Sequence, residues 1–186
     1  LIASYLGYEN KNIKEDEFNE LVKEYNNLPK LINETIINDN YSTIADKIYD
    51  KKQIFFIGRG IDYALSLEAS LKLKEISYIN SVAYQAGELK HGTISLIEKD
   101  TPVIAISTDN SLQEKTISNI KEVKARGAYV VYVTNEMPQE MFYDDIITIK
   151  KIHPILESIL AIIPLQLLSY KVALNKGCDI DKPRNL

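Results

Sequence analysis

Two kinds of hydrophobic pattern divide the chain. Up to about residue 50 the apolar positions recur at three- and four-residue spacing, as on one face of a helix. Phe18, Leu21, Val22 and Tyr25 set this period, behind an acidic start of Glu15, Asp16 and Glu17 that suits a helix N-terminus. Asn26-Asn27-Leu28-Pro29 is expected to break that helix. A second helix is expected through Ile36, Ile37, Ile44 and Ile48, interrupted near Asn38-Asp39-Asn40. Residues 1–50 therefore read as a helical connector, with residues 1–12 as the tail of a preceding domain.

From residue 53 short, continuous apolar runs alternate with helical segments. The runs are QIFFIG (53–58), SVAYQA (81–86), TPVIAIS (101–107), AYVVYVT (128–134) and DIITIK (145–150). Helical periods fill 61–77, 111–126 and 154–175, the last two closing at Gly127 and Gly177. Apolar strands separated by helices predict parallel strands covered on both faces. The expected fold is an open α/β class: a mainly parallel five-stranded sheet, flavodoxin-like, over residues 51–186.

Composition narrows the function without naming it. The 186 residues are 45% hydrophobic and 26% charged, ordinary for a globular chain. The net charge of −4 argues against nucleic acid or an anionic membrane as partner. One cysteine, Cys178, allows no internal disulfide, and two histidines, His91 and His153, make a structural zinc site a poor expectation. No metal or cofactor is expected. The most apolar stretch, 155–174, is interrupted by Glu157, Pro164, Gln166 and Lys171, so no membrane span is expected. Without a signal peptide in the first residues, a cytoplasmic protein is the expectation. A start at Leu1 and an end in mid-pattern read as a piece of a longer polypeptide.

Ligands of such sheets bind at the carboxyl ends of the strands. Gly58-Arg59-Gly60 is a tight strand-to-helix turn that could also cradle phosphate, although it lacks a third glycine and a Walker lysine. Residues 107–111 (STDNS) offer hydroxyls, but Asp109 repels an anion, and helix capping is the expected role. Residues 134–139 read as plain connection. Residues 85–92 (QAGELKHG) crowd two glycines, a carboxylate, a lysine and a histidine into one loop. His153, before Pro154, reads as a helix cap.

The helix at 61–77 carries the sharper signal. At about 100° per residue, Ala64, Leu65, Ala69, Leu71, Leu73 and Ile76 fill a broad apolar sector, with Tyr63, Ser70 and Lys74 opposite. Glu68, Lys72 and Glu75 fall in the middle of that sector, within roughly 60° of one another. They are spaced to pair, and a carboxylate beside an ammonium in a desolvated cleft is suited to proton transfer.

LKLKEISY (71–78), AGELKHG (86–92), PLQLL (164–168) followed by Tyr170, and DKPRNL (181–186) together resemble the glucosamine-6-phosphate synthases. The resemblance runs from about residue 53 to the end, over the second of two sugar-isomerase (SIS) domains in that family's isomerase half. It implies a polypeptide with a glutaminase domain and a first SIS domain ahead of this one, a homodimer, and fructose 6-phosphate and glucosamine 6-phosphate as substrate and product. It implies that Glu75 is the acid/base moving a proton between two sugar carbons, and that Lys72 manages charge beside it. His91 would open the sugar ring, reaching the site from the neighbouring subunit. The family's Ser-Gln-Ser-Gly-Glu-Thr phosphate loop belongs to the first SIS domain and has no counterpart at 107–111. The lysine-bearing tail that forms the Schiff base would follow Leu186. The expectation is a catalytic piece that is inactive alone. Two alternatives are a deglycase of phosphorylated Amadori sugars and a non-catalytic phosphosugar sensor. The sensor is disfavoured because 1–50 lack a basic helix-turn-helix.

Overall fold

A computed structural model of the chain describes residues 1–37 and 40–185. Three helices come first: α1 (Ile2–Glu9), α2 (Glu15–Ile37) and α3 (Tyr41–Ile48). The α/β part runs β1 (Gln53–Gly58), α4 (Ile61–Ser77), β2 (Asn80–Gln85), two 3-10 turns (Leu89–His91 and Thr93–Leu96), β3 (Pro102–Ser107), α5 (Gln113–Lys124), β4 (Tyr129–Thr134), β5 (Asp145–Thr148) and α6 (Pro154–Asn175).

The expected break at residues 26–29 is not there: α2 continues through Pro29. A helix interior loses one hydrogen bond at proline, but Leu28 and Leu31 on either side are buried against Leu160 of α6, and that packing offsets the loss. The expected interruption at 38–40 lies partly outside the described residues; Asn40 precedes α3. α6 likewise runs unbroken through the buried Pro164.

All five strands are parallel, in the order β2-β1-β3-β4-β5. Each sits within two residues of its expected position; the central strands β1, β3 and β4 are the most apolar, while the edge strands β2 and β5 are mixed. One sheet face (Ile54, Phe56, Ile104, Ile106, Val131, Val133, Ile147) packs on α3, α4 and α6. The other (Phe55, Ile57, Val103, Ala105, Val130, Tyr132) packs on Ile120 and Val123 of α5. Every residue of β3 is buried, as a central strand covered on both sides requires. α3 contributes Tyr41, Ile44, Ala45 and Ile48 to the larger core, so these residues are part of the sheet's packing.

α6 is long and apolar enough to cross a membrane by length and composition, and half of its most apolar window is buried inside the fold. It packs on α2, α3 and α4, which accounts for the apolar sequence.

α4 ends at Tyr78, which takes a left-handed conformation (φ 59°) where glycine is usual. The chain's last residues return to this point. Arg184 stacks on the Tyr78 ring at 3.7 Å, and its backbone N–H donates to the Tyr78 hydroxyl at 2.9 Å. The stacking and the hydrogen bond offset the strain at Tyr78.

Candidate active site

With strand order 2-1-3-4-5, the chain's direction across the sheet reverses between β1 and β3, where a crevice opens at the carboxyl ends. Gly58, Arg59 and Gly60 line one side of it. Residues 107–111 line the other. A cavity of about 370 Å³ lies beside it, bordered by Ile61, Thr108, Asp109, Asn135, Lys151 and Glu157 among others.

Asp62, in the first turn of α4, is the buried hub of this end. Its carboxylate accepts from Thr108 N–H (2.9 Å), Thr108 Oγ1 (2.6 Å) and Asp109 N–H (3.2 Å). These bonds hold the β3–α5 loop onto α4. The loop is therefore not a helix cap, as 107–111 were expected to be: α5 starts after Leu112 with no side-chain cap. Asn135 Nδ2 donates to Thr108 O (2.8 Å) and to Glu157 Oε1 (2.6 Å), which ties β4's end to α6. Asn135 thus gives the segment after β4 more than the connecting role expected of it. Two buried acceptors at this end, Asn135 Oδ1 and Ser107 Oγ, have no partner. Asp109 and Glu157 outnumber the single lining cation, Lys151, and make the cavity unfavourable for a phosphate, in keeping with the absence of a phosphate pattern at 107–111.

Burial pushes the carboxyl groups of both Asp62 and Glu157 above their ordinary range, against the hydrogen bonds that favour the charged forms. A raised folded pKa means that the fold binds more protons than the unfolded chain. The stability this contributes is complete below the unfolded value, roughly 4, and is lost as pH rises through the raised folded values. Glu157→Gln keeps an acceptor for Asn135 and removes one of the two titrations. Urea midpoints at pH 5 and pH 8 should show the wild type losing more stability over that interval than the variant. Equal losses would exclude this role for Glu157.

The residues expected from the helical wheel lie elsewhere, toward the other end of α4. Lys72 Nζ stands 2.8 Å from Glu75 Oε2 and 3.9 Å from Glu68 Oε1. The pair forms as spaced, but its burial was misjudged. Side-chain exposures are 29% for Glu75, 36% for Lys72 and 44% for Glu68, so the trio borders solvent. The buried face of α4 instead holds Asp62, Leu65, Ser66, Ala69, Ser70, Leu73 and Ser77. Ser70, expected outside, is buried with its hydroxyl donating to Ser81 Oγ at 3.1 Å. The serines satisfy their hydroxyls on backbone or on one another, so a wheel that scores them as polar points the wrong way. The hydrogen bond to Glu75 holds the Lys72 ammonium above its ordinary pKa range. Leu67 and Leu71 stand exposed on the outer side of α4 beside the ion pair.

His91 closes the first 3-10 turn and is exposed. No hydrogen bond or ion pair joins it to Lys72 or Glu75 among the described residues. Its loop adjoins the start of α4, where Ala86 N–H donates to Gly58 O at 2.9 Å. Glu75 sits 14 residues further along the helix, roughly 20 Å away at 1.5 Å per residue. No contact within one chain joins His91 to Glu75 among the described residues. His153 caps α6 as expected, its ring nitrogen accepting from Ile155 N–H at 3.3 Å.

The parallel order 2-1-3-4-5 with helices on both faces makes this a flavodoxin-like doubly wound α/β domain. The chain belongs to the SIS domain family, which it matches over residues 47–176. It is 47% identical over its whole length to a glutamine–fructose-6-phosphate aminotransferase (isomerizing) of Clostridium tetani. It is 49% identical over 90% of its length to the enzyme of the same name from Caldanaerobacter subterraneus. The chain spans only 31% and 28% of those two relatives. Its fold matches the C-terminal domain of glucosamine-fructose-6-phosphate aminotransferase from Francisella tularensis with a TM-score of 0.90. That alignment is 31% identical, over 97% of this chain and 52% of that one.

Proposed function

We propose that this chain is the second SIS domain of an enzyme that makes glucosamine 6-phosphate from fructose 6-phosphate and glutamine. The observation that carries the reading is the Lys72–Glu75 pair on the outer side of α4, within a sequence nearly half identical to enzymes of that name. In this reading an open-chain ketose phosphate becomes an imine, and one proton then moves from C1 to C2 to give the aldose. Glu75 takes and returns that proton: a carboxylate lying over one face of the sugar is within reach of both carbons. Lys72, hydrogen-bonded to Glu75, holds the carboxylate in place and steadies the negative charge that develops on the sugar. His91 opens the sugar ring, histidine being able to exchange a proton near neutral pH.

Residues 51–186 form the SIS domain in this proposal, and 1–50 connect it to a first SIS domain that supplies the phosphate grip. The acidic cavity supports that division, since a phosphate there would face Asp109 and Glu157. His91 and Glu75 serve one site only if they come from different copies, so the reading calls for a homodimer. The exposed Leu67 and Leu71 favour an ion pair that is covered in the assembly, where its charges act in a lower dielectric. The place of action proposed is the cytoplasm.

The test is product formation by the full-length polypeptide. Fructose 6-phosphate with glutamine should yield glucosamine 6-phosphate, detected by mass or by acetylation. Calorimetric titration of the present chain with either sugar phosphate should give no binding heat. Tight binding by this chain alone would refute the division of labour between the two SIS domains.

A further inference from the structure

Arg59 leaves the carboxyl end of β1 and runs toward the loop that carries His91. Its Nε and Nη2 donate to Asn119 Oδ1 at 3.3 and 2.8 Å. Asn119 lies on the inner side of α5 and is buried. Arg59 forms no ion pair with a carboxylate among the described residues. A half-buried guanidinium without an acid partner is an unusual expense in a fold, and it is retained here against a neutral amide.

What the guanidinium touches on its other side is Gly87. A Cβ built there would lie 2.7 Å from Arg59 Nη2, 3.3 Å from Cζ and 3.4 Å from Nη1. Gly87 has no positive φ, unlike Gly60 and Gly92. The backbone at 87 could therefore accept a side chain, and the atoms it would have to push aside are the end of the Arg59 side chain that Asn119 holds. The guanidinium thus fills the space that a side chain at 87 would take, with Nη2 the nearest atom. Beyond Gly87 the loop is fastened by Ala86 N–H on Gly58 O and by the buried Leu89. His91 is four residues on from Gly87.

We infer that Arg59 is a positioning residue: its guanidinium, pinned by Asn119, is the platform under Gly87 that sets where His91 projects. The inference rests on the role proposed for His91. Asn119 fixes the two edge nitrogens, the loop rests on the group's outer side, and the histidine rides on the loop. A displaced platform would move the His91 ring relative to a sugar held by other chains. A misplacement of about 1 Å in a proton-transfer group can cost a hundredfold in rate.

The experiment uses the full-length polypeptide with Arg59→Ala, Arg59→Lys, Gly87→Ala and the Arg59→Ala/Gly87→Ala double variant. Arg59→Ala should lower kcat for isomerisation about ten- to a hundredfold with little change in the KM for fructose 6-phosphate. Methylguanidinium at low millimolar concentration should restore part of that loss, and equal sodium chloride should not. Arg59→Lys should remain impaired, because an ammonium cannot provide the planar platform. Gly87→Ala should be harmful alone and nearly harmless in the Arg59→Ala background, where no guanidinium stands in the way. Wild-type kcat in Arg59→Ala, or an equal penalty for Gly87→Ala in both backgrounds, would overturn the inference. The role assigned to His91 is judged separately by His91→Asn. If that variant isomerises normally, the proposed role of His91 fails. The platform is then judged by the His91 ring resonances, which should shift in Gly87→Ala and return toward wild type in the double variant.

Discussion

Glu75→Gln in the full-length polypeptide should abolish the conversion of fructose 6-phosphate to glucosamine 6-phosphate and leave glutamine hydrolysis intact. The substitution changes almost nothing but proton affinity. Glutamine has the same shape, and its oxygen can still accept the Lys72 hydrogen bond now made at 2.8 Å. It cannot take a proton from carbon and give it back. General acid–base catalysis is worth about 10²–10⁴-fold, so the isomerase step should fall by at least that much. Chemistry that needs no proton shuttle at this carboxylate should continue. Glu68→Gln provides the contrast. Glu68 is the more exposed of the two carboxylates and lies 3.9 Å from Lys72 at the closest, so its loss should cost less than a few-fold. Sugar isomerisation retained in Glu75→Gln would sink the assignment of the proton-transfer residue. Loss of both activities would mean that the variant fails to fold, which circular dichroism resolves.

The largest effect on stability should come from Gly58→Ala. A methyl group at Gly58 would lie 2.4 Å from Asp62 O, 2.5 Å from Asp62 C and 2.8 Å from Tyr63 N. All three are backbone atoms of α4's first turn, so no side chain can swing aside. The helix start would have to back away from the sheet. Asp62 moves with it, and its three bonds to the β3–α5 loop would lengthen together. Overpacking of this kind costs about 1–3 kcal/mol and at times more; a backbone clash with a buried hydrogen-bond hub belongs at the upper end. Urea unfolding should show a loss of about 3 kcal/mol, and Gly60→Ala should cost less. Gly60 has a strained φ of 55°, but only side-chain atoms stand near its missing Cβ, Leu112 at 3.2 Å and Asp109 Oδ2 at 3.9 Å. A Gly58→Ala variant as stable as wild type would show that α4's start is not seated as described. The first glycine of the Gly-Arg-Gly turn thus serves the close approach of helix to strand, as one glycine of dinucleotide-binding turns does.

The sheet was legible because local and global preferences agree in it. QIFFIG, PVIAIS and YVVYVT are apolar at consecutive positions, as strands covered on both faces are. Gly127 (φ 88°) and Gly177 (φ 68°) stand just past α5 and α6, where the reading put the helix stops. The Lys72–Glu75 pair was legible from spacing alone, because residues three apart on a helix are neighbours whatever surrounds them.

Other features were beyond a local reading. Pro29 looked like a helix end because its neighbours in sequence are polar; α6, more than a hundred residues away, supplies the packing that carries α2 across it. Asp62, Asn135 and Glu157 come from three separate elements, and none belongs to a motif. Only the convergence of β1, β3 and β4 at one edge joins them. Arg59 and Gly87 were each part of a loop already singled out, but their mutual fit depends on β2 lying beside β1.

What the sequence determined by itself was the five strands, the helices between and after them, their parallel arrangement, and the identity of the charged pair on α4. These follow from periodicity and from neighbours within one turn. Which side of α4 faces the core was decided only by the tertiary structure. Burial belongs to the packed assembly of elements: serines can turn inward when other elements satisfy their hydroxyls, and a Glu–Lys pair can turn outward beside exposed leucines. The separation of His91 from Glu75 was decided in the same way. It follows from α4 running the length of the sheet between them, a distance that no motif contains.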